Sequence, residues 1–251
     1  MTKISAVIIT FNEEQRIVNT LESVKWCDEI IVVDSCSTDK TVEICKQYSN
    51  CKVFIQPFLG YGSQKKYAID LASNNWVINI DADEVLTNEL SKEIQNILAK
   101  DEIVFTGFHV PITHVFLGKI FKFGREYKHY HLRMFNKNFG NFNADKVHER
   151  LVVDGIKAKL NEQLLHYSYA SIHHYFEKFN EYTTIAAQHM LKRNKKASKF
   201  GVFLKFPFSF FKYYFLDLNF MNGYAGFVWS LFSAYYKVVR VVKYLEMKGN
   251  N

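Results

Sequence analysis

Six polar side chains stand at or directly after the ends of three apolar segments early in the chain. They are Thr10, Asn12 and Glu13 at the end of residues 4–10, Asp34 after residues 29–33, and Asp81 and Asp83 after residues 76–80. Each apolar segment has the length and the β-branched content of a buried strand. Ligands of parallel α/β sheets bind beyond the carboxyl ends of the strands. We therefore expect these six side chains to form one site.

Asp81 and Asp83 are one residue apart, and Glu84 follows them directly. Carboxylate oxygens are the ligands that Mg²⁺ and Mn²⁺ prefer, and both ions also bind phosphate oxygens. Three acids in one turn repel one another unless a cation is present. A solvated acidic turn is the alternative for an isolated pair of this kind, but the position at a strand end favours a metal–phosphate site.

Asp34 is suited to a nucleoside, because a carboxylate at a strand end can accept hydrogen bonds from a base or from a ribose hydroxyl. We expect Ser37 or Thr38 to cap the helix that follows, with Asp39 at its positive N-terminus. Asn12 is expected to cap the first helix in the same way.

The segments between the strands have helical spacing, and residues 64–72 and 88–100 are predicted to be helices. Strands that alternate with helices imply a doubly wound, mostly parallel sheet. From Phe105 to Val153 the pattern changes to short aromatic strands and loops rich in His and Arg. We expect a domain over residues 1–170, with a donor half at 1–100 and an acceptor-side region at 101–170.

Three motifs, in this order, resemble the family 2 glycosyltransferases, which are inverting enzymes of GT-A fold. They are the segment from Ala6 to Glu13, the segment from Val32 to Thr41, and the segment from Asn79 to Glu84. The resemblance implies a Rossmann-like GT-A domain that binds a nucleotide-sugar donor, with Mg²⁺ or Mn²⁺ held by Asp83 and Asp81. Donor contacts are implied for Thr10, Asn12, Glu13 and Asp34.

Two later segments, Val147-His148-Glu149-Arg150 and Leu165-His166-Tyr167-Ser168, resemble the lipopolysaccharide-core β-glucosyltransferase subgroup. That resemblance implies UDP-glucose as donor and the inner core of lipopolysaccharide as acceptor. It also implies that His166 helps to bind the diphosphate or the metal ion, although a lone histidine in an apolar stretch is more often a core residue.

The usual Glu-Asp catalytic-base motif of the family is absent from this sequence. An inverting transfer needs a carboxylate to deprotonate the acceptor hydroxyl. We expect Glu149 to do this, with Asp145 as the next candidate. The paired Asp that usually ends the second strand is replaced by Asp34-Ser35. The Gln-x-x-Arg-Trp motif of processive synthases is absent, which favours transfer of one sugar at a time.

Three basic residues are further donor-site candidates. Lys65 and Lys66 follow a Gly-containing segment on the expected phosphate side, and Arg133 is able to clamp a phosphate. A structural salt bridge is the alternative for Arg133.

Residues 171–251 are predicted to be a helical, aromatic and basic extension. From residue 192 onward there are eleven basic and two acidic residues, a net charge of +9, whereas the whole chain carries +7. Basic helices with many aromatic residues favour attachment to a membrane surface. A core helix or dimer contact, and a true span by the uncharged residues 218–236, are the alternatives. Pro207 is expected to break the helix at 200–216.

No signal-peptide pattern precedes the first strand, so we expect a cytoplasmic protein, peripheral on the cytoplasmic face of the inner membrane. The predicted function is transfer of one sugar to a hydroxyl of a lipid-linked saccharide. The alternatives are a polyprenyl-phosphate glycosyltransferase, a sugar nucleotidyltransferase, and a basic membrane- or RNA-binding module without enzymatic activity. No RRM or KH signature is present, so no nucleic acid is expected. The oligomeric state stays open.

Overall fold

The computed structural model describes residues 2–142 and 151–249. The chain divides into two compact units. The first comprises Met1–Thr113 and Lys128–Tyr167, and the second comprises His114–Tyr127 and Ser168–Asn251.

The described strands and helices follow in chain order. The strands are β1 (Ile4–Thr10), β2 (Glu29–Asp34), β3 (Cys51–Ile55), β4 (Trp76–Asp81), β5 (Glu84–Leu86), β6 (Gly107–Phe116), β7 (Lys119–Ile120), β8 (His129–Asn136), β9 (Gly140–Phe142), β10 (Leu151–Val153), β11 (Lys157–Lys159) and β12 (Leu164–His166). The α-helices are α1 (Ile17–Val24), α2 (Thr41–Cys45), α3 (Tyr61–Leu71), α4 (Asn88–Leu98), α5 (Ile172–Lys192), α6 (Lys199–Phe211) and α7 (Gly223–Gly249).

The main sheet has the strand order β3-β2-β1-β4-β8-β6-β12-β5. Strands β1 to β4 are parallel to one another, and a helix connects each to the next, which is the crossover that parallel strands require. Strand β8 runs antiparallel to both β4 and β6. The α/β fold with a parallel sheet in its first part and a helical C-terminal extension is therefore confirmed, and the later strands make the sheet mixed.

The neighbouring strands β1, β2 and β4 are buried on both faces, which explains why β1 and β2 are almost continuously apolar. Alternate residues of β1 point to opposite faces. Ile4, Ala6 and Ile8 pack in the layer that contains α1, α2 and α4, whereas Val7 packs in the layer of α3. Burying one such side chain contributes about 1.5–3 kcal/mol, so the strands that carry the polar site are fixed by the core beneath them.

The caps expected from Asn12 and from Ser37 or Thr38 are wrong, whereas Asp39 lies at the N-terminus of α2 as expected and accepts the Thr41 N–H at 3.0 Å. Asn12 has φ 53°, and its side-chain oxygen accepts a hydrogen bond of 2.8 Å from the Thr38 N–H. The N–H of Asn12 donates to the Ser37 hydroxyl at 2.8 Å. Neither α1 nor α2 has a side-chain cap. The polar groups after β1 bond to the loop after β2, because these parallel strands end side by side, so they are not available to the helices that follow them.

The second unit has an aromatic core between helices. Helix α7 packs against both α5 and α6, and the Trp229 ring lies 5.1 Å from the Phe116 ring in an edge-to-face contact. This core takes up part of the unusually high aromatic content of the chain. Its buried members are Phe116, Phe121, Tyr175, Phe179, Ala225 and Val228.

Pro207 does not break its helix, contrary to the sequence expectation: α6 continues through it to Phe211. Proline cannot donate to the carbonyl four residues earlier, which belongs to Phe203. Phe203 and Pro207 are both exposed, so water can bond to that carbonyl instead.

The uncharged run at residues 218–236 is divided between two elements. A 3₁₀ turn at Asn219–Asn222 precedes α7. The side-chain Nδ2 of Asn222 donates to the Phe123 carbonyl and to Oδ1 of Asn219. Gly226 is required here, since a Cβ would lie 1.9 Å from the Asn219 carbonyl oxygen. Among the helices in the described part of the chain, none combines the length and the hydropathy needed to cross a membrane.

Candidate active site

The carboxyl ends of three neighbouring strands place polar residues along one edge of the sheet. Thr10 at the end of β1 lies opposite Asp34 at the end of β2. On the other side of β1, Ile9 lies opposite Asp81 at the end of β4. Three sequence segments that are about 25 and 45 residues apart therefore meet at one edge.

Asp81 is held between two cations. Lys65 of α3 places its Nζ 2.6 Å from Oδ1, and Arg133 of β8 places its Nη2 3.1 Å from Oδ2. Burial acts to raise the pKa of Asp81, but the charges of Lys65 and Arg133 outweigh it and hold this pKa well below its usual range. The Asp81 carboxylate is therefore ionised.

The buried Glu84 carboxylate contacts both Arg133 and the backbone of Asp81. Its side chain is fully buried, its Oε1 lies 2.6 Å from Nη2 of Arg133, and its Oε2 accepts a 2.8 Å hydrogen bond from the Asp81 N–H. Burial acts to lower the pKa of Arg133, but the charges of Glu84 and Asp81 outweigh burial and raise this pKa above its usual value. The guanidinium therefore stays charged. Glu84 therefore positions Arg133 and is already fully engaged by the protein.

Asp83 has its own pair of basic partners. His166 Nε2 lies 3.3 Å from Oδ1, and Arg16 Nη1 lies 3.6 Å from Oδ2. Burial acts to raise the pKa of Asp83, but His166 and Arg16 outweigh it and lower this pKa. For His166 burial acts to lower the pKa, and the Asp83 carboxylate outweighs burial and raises it.

Arg16 was not identified from the sequence. It donates from Nη1 to the Tyr167 carbonyl at 3.0 Å, and from Nε and Nη2 to the Glu13 carboxylate at 2.7 Å each. The Glu13-x-x-Arg16 spacing is a local signal for the second contact. Nothing local indicates the contacts with residues 83 and 167. Glu13 thus contacts Arg16, and through it the Asp83 side of the site.

Asp34 lies beneath the surface of the site. It is fully buried, and its two carboxylate oxygens accept the N–H and the hydroxyl of Ser37. These bonds fix the loop after β2, which in turn holds Asn12 through Ser37 and Thr38. Asn12 is exposed at this edge, so it is more accessible to a ligand than Asp34 is.

Three buried side-chain oxygens near the strand ends have no hydrogen-bond partner among the described residues: Thr10 Oγ1, Gln64 Oε1 and Asn79 Oδ1. Nearly all buried polar atoms are hydrogen-bonded, and an exception at a site calls for water or a ligand. Thr10 is the one of the three that the sequence predicted as a donor contact.

The donor set around Asp83 fits a divalent ion. Neighbouring ligands of an octahedral ion with bonds of about 2.1 Å are about 3.0 Å apart, and the Oδ1–Nε2 separation of Asp83 and His166 is 3.3 Å. Mg²⁺ and Mn²⁺ are usually held by one or two protein groups, with phosphate and water as the other ligands. Among the described residues there is no cluster of three or more metal-ligating side chains, so the site would be of this open kind.

Charge repulsion among Asp81, Asp83 and Glu84 is the sequence-based reason to expect a metal ion at the acidic turn. Lys65, Arg133 and Arg16 already neutralise it, so repulsion alone does not require a metal ion. The same three cations can bind the oxygens of a phosphate group. The base candidates Glu149 and Asp145 lie outside the described residues.

Comparison with known proteins agrees with this geometry. Residues 5–155 match the model of Glycosyl transferase family 2. The chain is 39% identical to an uncharacterised glycosyltransferase of Rickettsia felis, over 100% of this chain and 93% of that protein. It is 30% identical to the lipopolysaccharide core biosynthesis glycosyltransferase LpsC of Rhizobium meliloti, over 96% of this chain and 91% of that protein.

A solved structure has a similar fold. It is the mannosyltransferase PcManGT from Pyrobaculum calidifontis in complex with GDP-Man and Mn²⁺, with a TM-score of 0.52 and 15% identity over 98% of this chain and 88% of that one. At this identity the likeness concerns the fold alone, which is of the GT-A type. Because the family match covers more than half of the chain and two relatives align over nearly all of it, the chain belongs to glycosyl transferase family 2.

Proposed function

We propose that this glycosyltransferase transfers one sugar, with inversion, from a UDP-sugar to a hydroxyl of a lipid-linked saccharide. UDP-glucose and the inner core of lipopolysaccharide are the donor and acceptor we favour, and the resemblance to LpsC supports the acceptor class. The observation that carries the proposal is the arrangement of Asp81 and Asp83 at a strand edge among Lys65, Arg133, Arg16 and His166.

The carboxylates and the basic residues have complementary roles toward a diphosphate. Asp83, with Asp81, is assigned to Mg²⁺ or Mn²⁺, and the 3.3 Å contact supports His166 as a further ligand. When bound, the ion neutralises charge that develops on the leaving diphosphate. Lys65 and Arg133 donate charge-assisted hydrogen bonds to phosphate oxygens.

The nucleoside is assigned to the edge formed by Thr10, Asn12, Glu13 and Asp34. Thr10 supplies a buried hydroxyl oxygen that has no partner among the described residues, and Asn12 supplies an exposed amide. Asp34 is buried and bonded to Ser37. Its role is therefore to position the loop, and direct contact with a ribose would need that loop to move.

Glu149 is assigned as the base, with Asp145 as the alternative. It takes the proton of the acceptor hydroxyl while that oxygen forms a bond to the anomeric carbon. The bond from the anomeric carbon to the diphosphate oxygen breaks on the opposite face of the sugar. The configuration is thereby inverted, and UDP leaves with the bonding electron pair.

The lipid-linked acceptor implies work at a membrane surface. We propose that the protein is peripheral on the cytoplasmic face of the inner membrane and attaches through its basic helical extension. The eleven basic and two acidic residues from residue 192 onward support attachment to an anionic surface.

The first test is a hydrolysis and transfer screen with UDP-, GDP- and TDP-sugars, each with Mn²⁺ or Mg²⁺ and each with EDTA. The proposal expects turnover of a UDP-sugar that EDTA abolishes and that Asp83→Asn lowers at least about 100-fold. Asp101→Asn, at an exposed residue, is the matched control. Turnover that is equal with and without EDTA, or equal in Asp83→Asn and wild type, contradicts the metal assignment.

The second test separates the hydroxyl acceptor from a polyprenyl-phosphate acceptor, which is already ionised and needs no base. Glu149→Gln should lose turnover and retain UDP binding, with Asp145→Asn measured beside it. A Glu149→Gln protein with wild-type turnover would remove the base assignment and favour the phosphate acceptor.

A further inference from the structure

Helix α6 of the second unit presents an apolar stripe to solvent. Its members recur at spacings of three and four residues, so they share one face of the helix, and they are 47–77% exposed. The other side of α6 carries the less exposed residues Val202, Phe206 and Ser209, and at the border between the two sides the Phe210 ring lies 5.8 Å from the Phe227 ring of α7. The stripe consists of Phe200, Phe203, Leu204, Phe208 and Phe211.

A cluster of cations borders this stripe. Lys205 and Lys212 come from α6 and from the π turn that follows it, Lys237 and Arg240 come from α7, and Arg125 comes from residues 114–127. Lys237 is partly buried. Burial lowers the pKa of Lys237, and the positive charges of Arg240, Lys212, Arg125 and Lys205 lower it further. Helix α6 and the π turn after it both pack against α7, so the cations of these elements lie on adjoining parts of the second unit.

The cluster has little compensating charge from the protein. Within the described ranges, Lys205, Lys237 and Arg240 have no ion pair or side-chain hydrogen bond, and the buried Nε of Arg240 has no acceptor. Asp217 is near, and its Oδ2 lies 3.2 Å from Nε of Arg125. Glu126 is near as well, and burial raises the pKa of its carboxyl. Like charges held together in partly buried positions favour a bound anion.

The stripe and the cluster are parts of one surface. Lys205 is three residues before Phe208 and Lys212 is four residues after it, so helical spacing places both lysines beside this exposed ring. Long basic side chains at the border of an apolar face keep their charge in the headgroup layer while their methylene groups follow the apolar surface. A ligand that fits this surface carries an anionic group next to a hydrocarbon chain.

We propose that the surface of α6 binds a phospholipid bilayer, with the phenyl stripe among the acyl chains and the Lys205–Lys212–Lys237–Arg240 cluster on the phosphate of an anionic lipid. This deepens the membrane attachment in the proposed function and specifies the residues that make it. A second copy of the chain fits less well, because residues 193–216 contain no acid and two such faces would bring like charges together.

The test is co-sedimentation of the full chain with vesicles of phosphatidylglycerol and phosphatidylcholine, and with vesicles of phosphatidylcholine alone. Wild type should bind the anionic vesicles. Lys205→Gln/Lys212→Gln should weaken binding about tenfold or more, and Phe203→Ser/Phe208→Ser should weaken it to a similar degree. The matched controls are Lys46→Gln/Lys100→Gln, which removes the same charge from exposed sites of the first unit, and Val104→Ser.

Three outcomes would overturn the inference. They are equal binding to the two kinds of vesicle, wild-type binding by either double variant, and loss of self-association instead of vesicle binding in the phenylalanine variant, measured by analytical ultracentrifugation. The last outcome would identify the stripe as a dimer contact.

UDP-sugar hydrolysis without vesicles separates this inference from the proposed function. Both double variants should hydrolyse the donor at the wild-type rate, because none of these residues belongs to the candidate active site. A wild-type protein that binds anionic vesicles and hydrolyses no UDP-sugar leaves the inference standing and removes the proposed function.

Discussion

His166 Nε2 and Asp83 Oδ1 lie 3.3 Å apart. The pairing of β12 with β5 sets this distance, because His166 is opposite Glu84 in the antiparallel register and the Tyr167 N–H donates to the Asp83 carbonyl at 2.9 Å. A histidine from a late segment is thereby placed on the acidic turn that ends β4. The two side chains can bind one divalent ion together, or they can form an ion pair with each other when no metal ion is bound.

His166→Ala should weaken Mn²⁺ binding about tenfold or more, since it removes one of two adjacent ligand groups. The measurement is the electron paramagnetic resonance signal of free Mn²⁺ during titration of the protein with UDP present. His189→Ala, at an exposed histidine, should behave as wild type. Unchanged Mn²⁺ affinity in His166→Ala would limit His166 to an ion pair with Asp83.

Lys65 and Lys66 form a matched pair for the phosphate assignment. Lys65 contacts Asp81 in the site, whereas Lys66 contacts Asp70 on the surface at 2.6 Å. Lys65→Met should raise the KM for the UDP-sugar about tenfold or more, because a charge-assisted hydrogen bond contributes about 1.5–3 kcal/mol. Lys66→Met should leave KM unchanged, and an equal effect of the two substitutions would contradict a specific role for Lys65.

Local sequence patterns predicted the strands of the site and their polar ends. Residues 4–10 are a strand with the predicted bounds, and β2 and β4 each extend one residue further than predicted, to Asp34 and Asp81. A buried parallel strand is readable because both of its faces are apolar.

Contacts between segments that are distant in the sequence could not be predicted from local sequence patterns. Asn12 bonds to Thr38 and not to its own helix, and Arg16 reaches Asp83 and Tyr167. Such pairs depend on strand order and register, which periodicity does not specify. Pro207 remains in its helix at an exposed position, where water can bond to the Phe203 carbonyl, and solvent exposure is a property of the packed structure.

Glu29 provides a pH-dependent contribution to stability away from the candidate site. Its buried carboxylate accepts hydrogen bonds from the Ser5 hydroxyl at 2.7 Å, the Ser73 N–H at 2.7 Å and the Lys52 ammonium at 2.7 Å. Burial acts to raise the pKa of Glu29, but these three partners outweigh it and lower the pKa from 4.5 to about 2. The charged form is therefore the one that stabilises the fold.

Since the folded-state pKa is depressed, this stabilisation is complete above pH 4.5 and is lost as the pH falls toward 2. Glu29→Gln should lower the free energy of unfolding by about 2 kcal/mol at pH 7 and remove that part of the acid dependence. Urea denaturation from pH 7 to pH 3 measures this, with the exposed Glu43→Gln as control. An acid dependence in Glu29→Gln equal to that of wild type would show that Glu29 titrates normally.

We propose that the acidic turn at the end of β4 and the cations around it bind a nucleoside diphosphate together with a divalent ion. Isothermal titration calorimetry of UDP into the wild-type protein, with Mn²⁺ and then with EDTA, tests this binding directly. We expect binding with Mn²⁺ that weakens at least about 100-fold in EDTA, and loss of the Mn²⁺ dependence in Asp83→Asn. UDP affinity that is the same with Mn²⁺ and with EDTA, or no measurable affinity in either, would contradict it.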